Sequence, residues 1–247
     1  MFSDLDRPPL TGVRQAAFRA PEGWRVTVVA RTGSTNADVA EAARQGAEPG
    51  YVLVAEEQTG GRGRLGRTWV SPPRAGLTFS ALLSAPPSPW VPLLAGVAVA
   101  RAIRDVCQLD ARLKWPNDVL LDGMKVCGIL AEVAAVAGQP PRVVLGVGVN
   151  VTTTTAELPG DRPATSLRLA GAAVTDRATL LRAVLRELAA ARSPVDYRTL
   201  CATLGAEVSV RLPAGEVVRG VADDVDDQGR LVVAGVAYAA GDVVHLR

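Results

Sequence analysis

Aromatic side chains are scarce in this chain, with three Phe, three Tyr and four Trp making up 4% of 247 residues. Hydrophobic residues still reach 48%, so the core must be built from Ala, Val and Leu, and each Trp needs a reason. Histidine is scarcer, His245 being the single one, and it lies far along the chain from every basic motif. The cysteines, Cys107, Cys127 and Cys201, are odd in number, widely spaced and without a C-x-x-C pair. That pattern excludes a disulfide framework and a Cys/His zinc site. No run reaches ~18 apolar residues without a charge or turn signal. The start, MFSDLDRPPL, carries acids and prolines where a signal peptide needs a basic start and an apolar stretch. The expectation is a soluble cytoplasmic protein. A formal net charge of +2 creates no global field for nucleic acid or a membrane surface, so any anion site must be local.

Residues 1–24 hold Pro8, Pro9 and Pro21 with little periodicity and read as an extended leader, too short for a DNA-reading domain. WRVTVVAR, from Trp24, has the β-branched content of a strand, and Ser34 or Thr35 then stands where a helix cap belongs before NADVAEAARQG. YVLVAEEQ and GLTFSALL are further strands, and the Ala/Val/Leu-rich segment from Pro89 to Cys107 is a buried helix. Two apolar runs flank Asp122-Gly123, a two-residue hairpin signal. VVLGVGVNV is another strand, and residues 152–168 form a long polar loop. Helical repeats resume over 176–192, with a short helix running to about Leu204. From Ala206 the pattern alternates through four or five short strands, which predicts a small SH3-like β-barrel. The expected organisation is a leader over 1–24, a catalytic domain over 25–203 and a β domain over 204–247.

The stretch GGRGRLGR, from Gly60, fits G-x-G-x-x-G at Gly61, Gly63 and Gly66. A dinucleotide-binding turn would continue into a helix, whereas RTWVSPPRAG follows with two consecutive prolines and no suitably placed acid. A Walker A loop fails too, because no Gly-Lys-Ser/Thr is present. Three readings stay open: a basic RNA-binding loop, a solvated surface loop, or a mobile loop that closes guanidinium groups on phosphate. Its glycines permit motion or close approach to a ligand, and its only apolar anchor before Trp69 is Leu65. KWPND with Lys125 following is either a charged surface turn or a site gathered by the hairpin. GSTNAD is a helix cap or a polar-ligand site using hydroxyls and free amides.

Together, GSTNAD at 33–38, EQTGGRGRLGRTWVSP at 57–72, KWPNDVLLDGMKVCGILAE at 114–132 and GVGVNV at 146–151 resemble the biotin protein ligases in order and spacing. The resemblance covers most of residues 26–170, and the β-rich end in AGDVVHLR is similar to that family's small domain. Cys127 departs from the usual small apolar residue. The N-terminal helix-turn-helix of the bifunctional ligase-repressors has no counterpart, so DNA binding is not expected.

The resemblance implies an α+β fold, a mixed β-sheet with helices packed on it of the class II synthetase-like kind, plus the C-terminal SH3-like barrel. It implies a biotin–[biotin carboxyl-carrier protein] ligase that uses ATP and Mg²⁺, forms biotinyl-AMP, and passes biotin to a lysine of the carrier domain of an acyl-CoA carboxylase. Lys125, Arg62, Arg64 and Asp118 are the implied catalytic residues. Biotin is implied to meet Ser34, Thr35, Asn36, Gln58, Arg62, Gly63, Arg64, Trp69, Lys125 and Gly128. The adenylate is implied to meet Arg64, Arg67, Lys114, Asn117, Lys125 and Asn150, with Mg²⁺ carried mainly on the ATP phosphates. Asp118 is expected either to receive the acceptor lysine's proton or to pair with Lys114. Gly128, Gly146 and Gly148 suit strands that a flat ligand approaches closely. The loop at 159–168 is expected to cover the adenosine, and the protein to be a monomer or weak homodimer. A lipoate or octanoate ligase is the nearest enzymatic alternative, and a nucleic-acid or ligand-binding module the non-enzymatic one.

Overall fold

Alternation of β-branched residues produces two sheets, and a computed structural model describes them over residues 7–10, 18–136, 138, 140–190 and 192–246. The larger contains β1 (Arg25–Val29), β2 (Tyr51–Ala55), β3 (Gly76–Leu83), β4 (Arg112–Lys114), β5 (Asp118–Leu121), β6 (Met124–Ala134) and β7 (Arg142–Asn150). Their spatial order is β1-β2-β3-β7-β6-β5-β4. Only β1 and β2 run parallel, joined through helix α1 (Thr35–Arg44); the other pairs are antiparallel. Asp122 and Gly123 both take positive φ, 48° and 76°, as a primed two-residue hairpin turn requires.

One face of this sheet meets helices α2 (Trp90–Cys107), α3 (Arg177–Ala189) and α4 (Pro194–Leu200). Leu77, Phe79, Ala81, Leu145, Val147 and Val149 point into that core with Val97, Ala100, Ile103, Leu181 and Val184. Among the described residues the opposite face carries only α1, where Val39 and Ala43 pack on Leu53, Leu82 and Val144. A ten-residue helix is only ~15 Å long, whereas a nine-residue strand such as β7 spans ~30 Å. Part of that face is therefore left for something else, and the neighbouring strand residues there change from apolar to Thr78, Ser80, Gly146, Gly148 and Asn150.

The second sheet has the order β11-β10-β9-β8-β12, from β8 (Glu207–Arg211), β9 (Val217–Val225), β10 (Leu231–Val233), β11 (Val236–Tyr238) and β12 (Asp242–His245). It forms the small antiparallel SH3-like unit around Val208, Val210, Ala222, Leu231 and Val233. Two of the four tryptophans fix it in place. Trp90 Nε1 donates to Asp227 O at 2.8 Å and buried Trp115 Nε1 to Gly229 O at 3.1 Å.

Three local expectations need correction. The last helix ends at Leu200 rather than near 204, and Ala202 N bonds Leu113 O to enter a bridge with β4. Ser34 occupies the N-cap position of α1, yet its side chain makes no capping hydrogen bond. The leader expected over residues 1–24 is packed where it is described at 7–10, with Arg7 and Leu10 buried; its residues 1–6 and 11–17 lie outside the described ones.

Trp115→Phe keeps most of the ring but orphans a buried carbonyl, at a cost of about 1–3 kcal/mol. Thermal unfolding followed by circular dichroism should fall by roughly 2–4 °C for each kcal/mol lost. An unchanged midpoint would show that the Trp115–Gly229 bond does not hold the two sheets together.

Candidate active site

The uncovered part of the α1 face is the floor of a cleft of about 940 Å³. At one end stand buried Ser34, Thr35 and Asn36. Gln58 reaches them from the segment after β2, its Oε1 accepting from Thr35 N at 2.8 Å and Thr35 Oγ1 at 2.9 Å. Gln58, not Ser34, thus satisfies the first amide of the helix. Ser80 Oγ, fully buried, lies 2.7 Å from Thr35 Oγ1 and 2.6 Å from Asn36 Oδ1, its one proton facing two acceptors. Asn36 Nδ2 donates to Glu132 Oε2 at 2.6 Å. This end is rich in hydroxyl and amide groups that both donate and accept, the complement of a neutral polar ligand.

Lys125 occupies the middle. It lies three residues from Gly128, and simple alternation would send the two to opposite faces. The β5–β6 register slips between Val119 and Leu120, and this bulge brings Lys125 onto the cleft side. Its Nζ lies 2.5 Å from Asp118 Oδ1 and 5.9 Å from the centroid of Trp69. The cation and carboxylate are both about one-fifth exposed. Asp118 therefore pairs with Lys125; Lys114, the partner in one of the two roles weighed for Asp118 from sequence, faces it only across the β4–β5 ladder.

Glycine has a different use here from the expected contact with a flat ligand. A Cβ on Gly148 would overlap the Trp69 indole, and one on Gly146 would overlap the Asn36 amide. At Gly128 it would stand 3.2 Å from both Trp69 and Lys125. The missing side chains make room for the protein's own Trp69, Asn36 and Lys125, which then present the site. Cys127, beside Gly128, is fully buried in the other face, and burial pushes its thiol far up, so it stays neutral.

GGRGRLGR folds as a small hairpin at the cleft edge. Gly63 N donates to Arg67 O at 2.7 Å, Trp69 N to Gly61 O at 2.9 Å, and Arg62 bridges Thr68. Leu65 is not the expected anchor. It sits at the tip with φ 55°, followed by Gly66 at 73°, and is 59% exposed. The three arginines spread in different directions. Arg62 pairs with Glu132 at 3.6 Å, Arg64 Nη1 donates to Asn117 Oδ1 at 3.4 Å, and Arg67 pairs with Asp242 of β12.

Other expected residues line the same cleft with commitments of their own. Asn117 Nδ2 donates to Ile129 O at 2.8 Å, and Asn150 Nδ2 to Thr165 O at 3.0 Å. Lys114 is held below its usual pKa by burial, opposed by Asp118 and assisted by the repulsion of Lys125 and Arg67. Burial likewise lowers Arg64, against Asp118 and with Arg67. Positive charge is being concentrated where solvent is thin.

Sequence reading missed Glu157, Asp242 and His245 on the cleft wall, and Ser80 and Glu132 as the hydrogen-bond partners of Asn36. His245 is far from the cations in sequence but near them in space. Its Nε2 is 3.1 Å from Thr203 Oγ1, which accepts from Trp115 N, and burial with the Lys114 charge lowers its pKa. Only the AGDVVHLR ending hinted that this strand belongs to the site.

Residues 28–150 match the model of the Biotin/lipoate A/B protein ligase family, and residues 203–246 match that of the biotin protein ligase C-terminal domain. The chain is 45% identical to the biotin--[acetyl-CoA-carboxylase] ligase of Mycobacterium tuberculosis, over 99% of this chain and 98% of that one. It is 32% identical to the ligase of the same name from Paracoccus denitrificans, over 85% and 94%. The solved biotin protein ligase of Aquifex aeolicus in complex with biotin and ATP superposes with a TM-score of 0.74, at 26% identity, over 90% of this chain and 99% of that one. With most of its cleft drawn from the segments that the two models span, and with 45% identity to the Mycobacterium tuberculosis ligase over nearly its full length, the chain belongs to the biotin protein ligase family.

Proposed function

We propose that the chain is an ATP-dependent biotin protein ligase that forms biotinyl-5'-AMP and transfers the biotinyl group to a lysine of a carboxyl-carrier domain. The observation that carries this reading is the joining, in one cleft, of a neutral hydrogen-bonding end at Thr35, Asn36 and Gln58 to a cationic centre at Lys125. Trp69 lies between them. That order matches an acid with a urea head, an apolar body and a carboxylate that must meet a phosphate. The three cysteines are free and buried, which suits the reducing, ATP-supplied cytoplasm. No helix among the described residues is long and apolar enough to cross a membrane. We assign catalysis to residues 25–203 and a supporting role to 204–247, whose β12 lines the cleft.

Biotin's carboxylate oxygen attacks the α-phosphorus, the bond from that phosphorus to the β-phosphate bridge breaks, and pyrophosphate leaves. Two anions resist this approach, so fixed positive charge is the main requirement. Lys125 supplies it at the carboxylate and α-phosphate, with Arg64 and Lys114 beside it. In the second step the acceptor amine attacks the acyl carbon, the C–O bond to AMP breaks and AMP leaves with the electron pair. Asp118, released from Lys125 as that ammonium turns to the phosphate, receives the lysine's proton.

Magnesium fits this site as a passenger of the nucleotide. Among the described residues no group of three or more His, Cys, Asp or Glu side chains gathers as a metal cradle. Of the carboxylates lining the cleft, Asp118, Glu157, Asp161 and Asp242 are ion-paired with Lys125, Arg7, Arg162 and Arg67. When bound on the triphosphate, the ion neutralises phosphate charge.

Incubation with ATP, Mg²⁺, a carrier domain and either biotin or lipoate tests the reading directly; attachment of lipoate alone, or of neither acid, would refute it. Lys125→Ala should cut biotin-dependent pyrophosphate release by about 10²–10³-fold with the fold intact, and near-normal release would remove Lys125 from its role. For Arg64→Gly the expectation differs. Pyrophosphate release should survive in part, while biotinyl-AMP escapes the loosened loop and labels bystander lysines. Labelling still confined to the carrier would show that Arg64 does not retain the intermediate.

A further inference from the structure

Arg7 lies far outside the recognised motifs, yet its side chain is 4% exposed. Its guanidinium grips Glu157 with both prongs, Nη1 to Oε1 at 2.9 Å and Nη2 to Oε2 at 2.6 Å, and Nη2 also donates to Thr152 O at 3.0 Å. Bidentate geometry of this kind fixes orientation as well as distance. The backbone around Arg7 is seated by a second buried pair. Arg177 and Glu56 lie 2.7 Å apart, at 4% and 6% exposure. Arg177 Nη2 donates to Pro8 O at 2.7 Å, and the Glu56 carboxylate accepts from Leu10 N. Such groups are costly to bury unless geometry is exact on both sides, so residues 7–10 are a built part of the protein.

What Arg7 holds is the start of a cleft wall. After β7 the chain makes a short 3-10 turn over Thr155–Glu157, where Glu157 also accepts from Thr154 N at 2.9 Å. The next residues, Leu158, Pro159, Asp161 and Arg162, line the cleft. Then the loop pairs with the backbone of Lys125 on both sides, Lys125 N to Pro163 O at 3.1 Å and Thr165 N to Lys125 O at 2.9 Å. The arc over 158–162 is thus suspended between two fixed points, Arg7–Glu157 behind it and Lys125 ahead. Whatever disturbs the first anchor slackens a wall whose other end is the central cation.

We propose that Arg7 is a positioning residue for the nucleotide end of the cleft. By holding Glu157 it sets the arc over 158–162 at the height needed to close on the adenylate. This inference rests on the ligase reading given above, because only there does that end receive ATP. It makes the leader a working part of the site in spite of its distance from every catalytic motif. Glu157, with its carboxyl brought down to about 2 by the Arg7 hydrogen bonds, remains charged through the neutral range and keeps the anchor closed.

The test is steady-state kinetics of the full chain carrying Arg7→Ala, Arg7→Lys and Glu157→Gln, with amide hydrogen exchange of residues 158–168 in the ligand-free proteins. Arg7→Ala should raise KM for ATP about tenfold, leave KM for biotin within about twofold, and speed exchange of the arc about tenfold. Arg7→Lys, which replaces a fork by a point charge, should recover part of each change. Glu157→Gln should shift KM for ATP in the same direction. If Arg7→Ala unfolds, the two conservative variants decide the matter at melting temperatures near that of the wild type. Unchanged KM for ATP, or ATP and biotin constants rising together, would overturn the positioning role. A wild-type chain that attaches no biotin would instead refute the ligase reading, and unaltered exchange in Arg7→Ala would refute the anchor by itself.

Discussion

An ammonium group held on the open half of a sheet face is the constraint around which the cleft is organised. Lys125 reaches that face because the strand bulges, and it stays there because Gly128 leaves room for its stem. Its charge is balanced by Asp118 and bordered by the Trp69 ring. Remove the bulge and alternation sends the side chain into the core behind, where an unpaired ammonium is strongly disfavoured. Replace Gly148 and the indole is displaced, so the wall between the two ends of the cleft goes with it. Local backbone geometry is the device that sets this ammonium in the cleft.

The same logic explains why a small β unit belongs to the enzyme. Trp90 and Trp115 donate to its 226–230 turn, and its last strand returns Asp242 to Arg67 and His245 to Thr203. Thr203 in turn accepts from the backbone N–H of Trp115, one residue after Lys114. The Gly/Arg hairpin and the KWPND turn are therefore both tied to one strand. One strand thus holds Arg67 through Asp242 and the backbone next to Lys114 through His245 and Thr203, so the small unit helps fix the positions of cations that lie far apart in sequence.

Local signals were legible and non-local commitments were not. Asp122-Gly123 announced its turn because both residues tolerate positive φ, and GLTFSALL and VVLGVGVNV announced strands by their composition. The four motifs located the cleft because each lies on a segment that folds locally. Gln58 as the partner of the α1 amide and Arg67 turned toward Asp242 depend on which distant segments become neighbours, and no window of sequence contains that information; the Asp118–Lys125 choice over Lys114 is local to one hairpin but turns on a bulge. Arg7 is the extreme case, since its partner is 150 residues away. Leu65 misled for another reason: an apolar residue at a hairpin tip can take a left-handed conformation and face solvent, against its usual preference.

Gathering Arg64, Lys114 and Lys125 beside one another has a cost that the unliganded protein carries. Burial and mutual repulsion pull Lys114 below its ordinary pKa, and burial pulls Arg64 down, while Asp118 is the main charge opposing both. Asp118 is paired with Lys125 and Asp242 with Arg67, so among the described residues no further negative charge is ion-paired with Arg64 or Lys114 before substrate arrives. Triphosphate and carboxylate supply that charge, and each cation gains most when solvent is excluded by the hairpin and the arc over 158–162. Closure and anion binding are then favourable for the same reason.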